Sequence, residues 1–150
     1  MAIGAGGKLS KLKAFLRQEG GSATIEFVLW LPIVIAILLL VVDSSMLFMS
    51  RSHAMRVLQD TNRLYSVGQF TSNQQDIEAA RAERLAKARD YALSRLRGLS
   101  PSATVTAAEV GNGVVRTTAT MSTKEIAAIG FLGMMIDTTM VVSAEHRVES

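Results

Sequence analysis

The stretch GGSATIEFVLWLPIVIAILLLVV, residues 20–42, decides the architecture of this chain. It opens on a glycine pair and places a lone carboxylate, Glu26, five residues beyond Gly21. From Phe27 it runs apolar without interruption to Val42, and after Asp43-Ser44-Ser45 the apolarity resumes at Met46-Leu47-Phe48-Met49. As one helix, residues 27–49 rise roughly 34 Å at ~1.5 Å per residue, enough to cross a hydrocarbon core. A secretory signal peptide carries its apolar region before the cleavage site and loses it on processing. Here the apolar run follows the glycines, so a cut at Gly21 leaves it in the mature protein.

The charge distribution is arranged around that run. Lys8, Lys11, Lys13 and Arg17 face only Glu19 within the first 21 residues, which accounts for the formal net charge of +3; the remainder carries 12 basic and 12 acidic side chains. The basicity is a flank of the apolar run rather than a phosphate-binding face, so nucleic acid is not an expected partner. An aromatic content of 5% likewise provides no platform for stacked bases. The positive flank puts the N-terminus on the cytoplasmic side of a single-pass protein, although Arg51, Arg56 and Arg63 beyond the run reduce the asymmetry. The chain has no cysteine, so its fold is held by packing without disulfides or thiolate metal sites.

Two ionisable groups border the apolar run, and such groups usually mark function. Burying Glu26 alone costs several kcal/mol. A cut after Gly21 creates a compensating cation, the α-amino group of Ser22, from the same or a neighbouring subunit; the alternative is a carboxylate that stays in interfacial water. Asp43, near the far boundary, is expected to snorkel or to cap a helical bend. Pro32 removes one backbone donor inside the run and is expected to kink it, which a membrane helix tolerates. Phe27 and Trp30 suit interfacial anchors, and Trp30 also suits packing against a partner helix.

Beyond Met49 the helical pattern continues through Ala54, Val57/Leu58, Thr61 and Leu64/Tyr65, with Gly68 as its stop. After the polar patch TSNQQ, residues 71–75, a second amphipathic helix is expected over residues 76–97. Its apolar stripe is Leu85, Ala88, Ala92, Leu96 and Leu99, with Ile77 upstream; Glu83, Arg84, Lys87 and Asp90 form a solvated face. ATVTAAEV and VVRTTATMS, joined by Gly111-Asn112-Gly113, read as a β-hairpin, and the alternation from Thr139 to Val148 adds a third strand. The expected fold class is therefore α+β: a long N-terminal transmembrane helix continuing into a soluble part, with a second helix and a small three-stranded antiparallel sheet. IAAIGFLGMMI, residues 126–136, is too short to cross a bilayer. It reads either as a buried segment closing the domain or as a partner-binding or membrane-skimming surface.

No catalytic constellation is visible. His53 and His146 are far apart and lack carboxylates at metal-binding spacing, and no phosphate-cradling or nucleophile motif occurs. His146 is expected as a packed or edge side chain of the third strand. Neither a metal nor a cofactor is expected, and the chain is not expected to be an enzyme.

The run GGSATIEFVLWLPIVIAILLLVVDSSMLFMSRS, residues 20–52, resembles the TadE-like family of the tight-adherence (Tad/Flp) pilus system, within the type IV pilin superfamily. The resemblance rests on Ala23 in a small-residue stretch, Glu26-Phe27, the Leu31-Pro32 pair and Asp43. The closing TTMVVSAEHRVE also looks like the family's last strand; elsewhere the agreement is one of architecture. The resemblance implies a minor pilin, or pseudopilin, inserted in the bacterial inner membrane and cut by a prepilin peptidase. It implies Gly21 as the residue before the cut, Ser22 as the new N-terminus, and Glu26 as the fifth mature residue, acting with Phe27 in recognition and assembly. Implied partners are that peptidase, other minor and major pilins, the inner-membrane assembly platform and membrane lipid. The chain departs from ordinary type IV pilins in carrying Pro32 at the eleventh mature position and in lacking a C-terminal disulfide pair. The expected organisation is a basic leader at 1–21, a transmembrane assembly helix at 22–49 and an extracytoplasmic domain at 50–150. The competing expectation is an uncleaved, signal-anchored accessory protein that tethers a partner-binding periplasmic domain.

Overall fold

The structure is a computed structural model that describes residues 20–111, 113–127, 129–130 and 138–148, with side chains from Thr24 onward. The basic leader, Asn112 of the hairpin turn, and residues 128 and 131–136 of the apolar segment lie outside the described residues. The chain divides into two compact units, Met1–Leu38 and Leu39–Ser150.

One helix, α1 (Gly20–Ser66), begins in the first unit and ends in the second, and it runs on without a break at Pro32. Within the first unit its apolar side chains are exposed all round, among them Phe27, Leu29, Trp30 and Ile37. A helix that is apolar on every side and covered by nothing is built for lipid rather than water. Among the described residues it is the one helix long and apolar enough to cross a membrane.

In the second unit the pattern of α1 narrows to a single stripe. Ala54, Leu58, Thr61, Asn62, Tyr65 and Ser66 are buried, at the spacings of three and four that keep side chains on one helical face. The stop at Gly68 is a Schellman turn. Gly68 takes φ 75°, its N–H donates to the Tyr65 carbonyl at 3.1 Å, and the Gln69 N–H reaches the Leu64 carbonyl at 3.0 Å. A positive φ at this position is what glycine supplies without steric cost.

Helix α2 (Ile77–Leu96) is capped by Asp76, whose carboxylate accepts the Glu78 N–H at 2.9 Å. Ala88, Ala92 and Leu96 are its buried stripe, as the spacing predicts. Ile77 departs from expectation, being 77% exposed. It occupies the first helical position, one residue past the cap, and is followed by a first turn that faces water.

Strands β1 (Thr104–Glu109), β2 (Val114–Ser122) and β3 (Thr139–Arg147) form an antiparallel sheet in the order β1-β2-β3, and the single turn α3 (Thr123–Ile126) follows β2. Gly111 and Gly113, at φ 43° and 68°, frame the hairpin turn between β1 and β2. The side-chain period of two sorts the sheet into faces. Val105, Val115, Thr117, Ala119, Met121, Val142 and Ala144 point inward and are buried. Thr104, Thr106, Arg116, Val141, Ser143 and Glu145 are on the outer face and exposed. The inner face packs with Ala54 and Leu58 of α1 and Ala92 and Leu96 of α2 in one hydrophobic cluster, giving two layers. This is the α+β architecture the alternation predicts, and His146 is an exposed side chain of the edge strand β3.

The cluster is small and lacks disulfides, so individual side chains count. Leu96 is fully buried at its centre. Leu96→Ala is expected to lower stability by about 2–5 kcal/mol, read as an earlier unfolding transition of the full chain in detergent micelles.

Candidate processing and assembly site

The residues singled out in the sequence fall along one helix. Gly21 and Ser22 lie in the first turn of α1, Glu26 and Phe27 in the next, and Pro32 further on, all in the first unit. Ser22 and Glu26 are four residues apart, so their positions share a helical face about one turn, or ~6 Å, from each other. Glu26 is exposed, flanked by Ile25 and Phe27, each 65% exposed. The Glu26 carboxylate is thus presented outward among apolar side chains.

Asp43 belongs to the second unit and has a different environment from the one expected of it. Its side chain is fully buried, and it accepts the backbone N–H of Ile129 at 3.0 Å. It neither snorkels to water nor caps a bend; it fastens the start of the apolar segment after α3 to the side of α1. The next two residues are also satisfied at home. The Ser44 hydroxyl donates to the Leu40 carbonyl at 2.7 Å and the Ser45 hydroxyl to the Val41 carbonyl at 2.9 Å.

Further down α1, three polar contacts tie the helix to the sheet. Asn62 donates through Nδ2 to the Ala144 carbonyl at 2.9 Å and accepts the Thr117 hydroxyl at 2.9 Å, with both side chains buried. Tyr65 donates its hydroxyl to Glu109, whose other oxygen meets Arg81 Nε at 3.2 Å. The Arg84 guanidinium lies 4.8 Å from the centre of the Tyr65 ring. Burial, followed by the bond to the Glu109 carboxylate, pushes the Tyr65 phenol up to about 12. Arg84, read from the sequence as part of a solvated face, also covers the Tyr65 ring.

Two carboxylates brace the connections. Lys87 Nζ at 2.8 Å and the Ser72 hydroxyl at 2.6 Å both bind Glu83 and hold its carboxyl below the usual range. Lys87 also donates to the Thr71 carbonyl at 2.6 Å, which pins the polar patch between the helices. Glu125 accepts the Ser100 hydroxyl and the Ser102 N–H, bonds that lower its carboxyl in the same way. Sequence reading missed all of these partners except the helix positions themselves. The one available signal was Asn62, a polar residue on the same face as Leu58 and Tyr65.

Residues 21–63 match the family model described as TadE-like protein. That segment, less than half of the chain, is similar to the TadE-like family. The matched segment contains Gly21, Ser22, Glu26, Phe27, Pro32 and Asp43 and ends within α1, before the second helix and the sheet begin. No curated protein and no solved structure matches the chain. The matched segment includes the apolar part of α1, which is long and apolar enough to cross a membrane.

Because the folded-state pKa of Tyr65 is raised above the ordinary 10.0, its contribution to stability is present below that value and is lost as pH rises through about 12. An ultraviolet titration is expected to show a tyrosine phase at this high pH, and Tyr65→Phe is expected to remove it. Persistence of that phase in the variant would assign it elsewhere.

Proposed function

We propose that this protein, whose residues 21–63 match the TadE-like model, is a minor pilin, or pseudopilin, of a Tad/Flp-type pilus, used for adhesion, biofilm formation or secretion. The observation that carries the reading is the exposed Glu26 at the head of a membrane-length apolar helix, five residues past Gly21 and inside the matched segment. The precursor sits in the bacterial inner membrane with its leader, residues 1–21, in the cytoplasm. A prepilin peptidase cuts after Gly21, so Ser22 becomes the mature N-terminus. The helix over 22–49 then parks the subunit in the bilayer until it packs laterally against other pilins at the assembly platform. Residues 50–150 present the contact surface outside the cytoplasm.

Electrostatics supplies the register of that packing. In hydrocarbon, Glu26 gains most from an ammonium at short range, because a carboxylate without one is costly there. The ammonium released at Ser22 is the group that processing makes available, and a neighbouring subunit can bring it to Glu26 at one axial offset. Phe27 and the lipid-facing residues around it supply the apolar contact. The protein acts as substrate and building block and performs no chemistry of its own.

Gly21→Val is expected to leave the leader in place when peptidase is present, seen as an unshifted band on a gel. A normal shift in that variant would refute the assigned cut, and an intact leader on the native protein would favour an uncleaved signal-anchored tether instead. Glu26→Ala is expected to insert into the membrane normally but to enter pili poorly. Wild-type incorporation of the variant would remove Glu26 from the docking step.

A further inference from the structure

The apolar run before Asp43 is too short for the task its surface sets. Residues 27–42 number 16 and rise about 24 Å in a helix, against a hydrocarbon thickness near 30 Å. Asp43, Ser44 and Ser45 would ordinarily end the lipid-facing surface there. Each of the three instead spends its polar group internally, the carboxylate on the Ile129 N–H and the two hydroxyls on carbonyls one turn back. Asp43 is completely buried, so no charge faces outward at this level.

What lies outward beyond the interruption is apolar. Phe48 is 69% exposed, Met49 71% and Ile129 54%, and the globular unit leaves all three uncovered. Arg51 follows, exposed, and lines a cleft of about 310 Å³ with Ser44, Leu47, Phe48 and Met140. An arginine one turn past an apolar belt is the arrangement that reaches phosphate at the headgroup level while its stem stays in the apolar zone.

Phe48 and Met49 continue the lipid-facing surface of the helix over 22–49, and we infer that the globular unit adds Ile129 to that surface, so that Ile129 meets the bilayer interface and Arg51 the headgroups. The occupant of this surface is membrane lipid. Three observations favour it: continuity with the apolar anchor, the internal satisfaction of every polar group in the 43–45 interruption, and the length deficit that the extra turns remove. Extending from Phe27 to Met46 already gives about 30 Å. The inference rests on membrane anchoring alone and holds whether or not the leader is removed.

Because the chain lacks cysteine, single-cysteine variants each carry one nitroxide label. The full chain is reconstituted, unassembled, in vesicles of phosphatidylethanolamine and phosphatidylglycerol, with labels at Phe48→Cys, Met49→Cys and Ile129→Cys. Leu38→Cys serves as the reference for lipid and Ser143→Cys, on the outer sheet face, as the reference for water. Collisional relaxation by oxygen, which concentrates in lipid, is compared with that by a water-soluble nickel chelate. The expected result is that positions 48, 49 and 129 favour oxygen over nickel, as position 38 does, with the ratio reversed at position 143. Nickel access at 48 and 129 equal to that at 143 would overturn the inference. Shielding of these positions from both reagents would overturn it as well, in favour of a protein neighbour. All three side chains are more than half exposed, so the labels report on surroundings rather than on a disturbed core.

Discussion

The structure depends on one helix having to satisfy two solvents in turn. The first part of α1 must show apolar side chains in every direction, and the last part must show them on one stripe only. The hand-over occurs at Asp43-Ser44-Ser45, where three polar side chains appear with no water assumed to meet them. The bond from the Ile129 amide to the buried Asp43 carboxylate settles the costliest of the three. It also joins a segment 86 residues later in the sequence to the helix, so the hand-over is fixed by tertiary structure and not by helix chemistry alone.

Below that point the helix is held by geometry and polar specificity together. Ala54 and Leu58 bring the backbone of α1 close to the sheet, and small inward residues such as Ala119 and Ala144 receive them. Apolar contacts of this kind fix distance better than they fix register. Asn62 supplies the missing register, since its amide is satisfied only when it meets both Thr117 and the Ala144 carbonyl. Tyr65 repeats the arrangement with Glu109 on β1, and Arg81 and Arg84 connect that contact to α2. Each layer of the soluble part is thereby tied to the same side of α1.

Local patterns were readable in the sequence, and pairings between distant residues were not. The stripe on α1, the stop at Gly68 and the glycine-framed hairpin all express rules that operate over a few residues. Ile77 misled because period alone placed it on the stripe, whereas its position just inside the cap faces it outward. Asp43 misled for another reason. A carboxylate beside an apolar run looks like a group seeking water, and its partner is a main-chain amide that has no sequence signature. The same holds for Tyr65 with Glu109 and for Glu125 with Ser100, whose partners lie 44 and 25 residues away. The apolar segment from Ile126 shows both cases: its composition announced that it would be buried, meet a partner or skim a membrane, and the buried Ile126 and the Ile129 amide show where it attaches.

The outer face of the sheet carries short hydroxyl-bearing side chains in facing rows. Thr106 stands opposite Thr118 and Thr118 opposite Ser143, with Thr104, Thr120 and Val141 forming the next row. Nothing in the core depends on these rows, because the inward residues alternate with them and the packing lies behind the sheet. The scaffold therefore has a panel that can be re-lettered: residues there are open to exchange for larger or differently charged ones at little expense to folding. Variation confined to that panel would alter what the molecule displays to its surroundings while leaving its anchoring and its interior untouched.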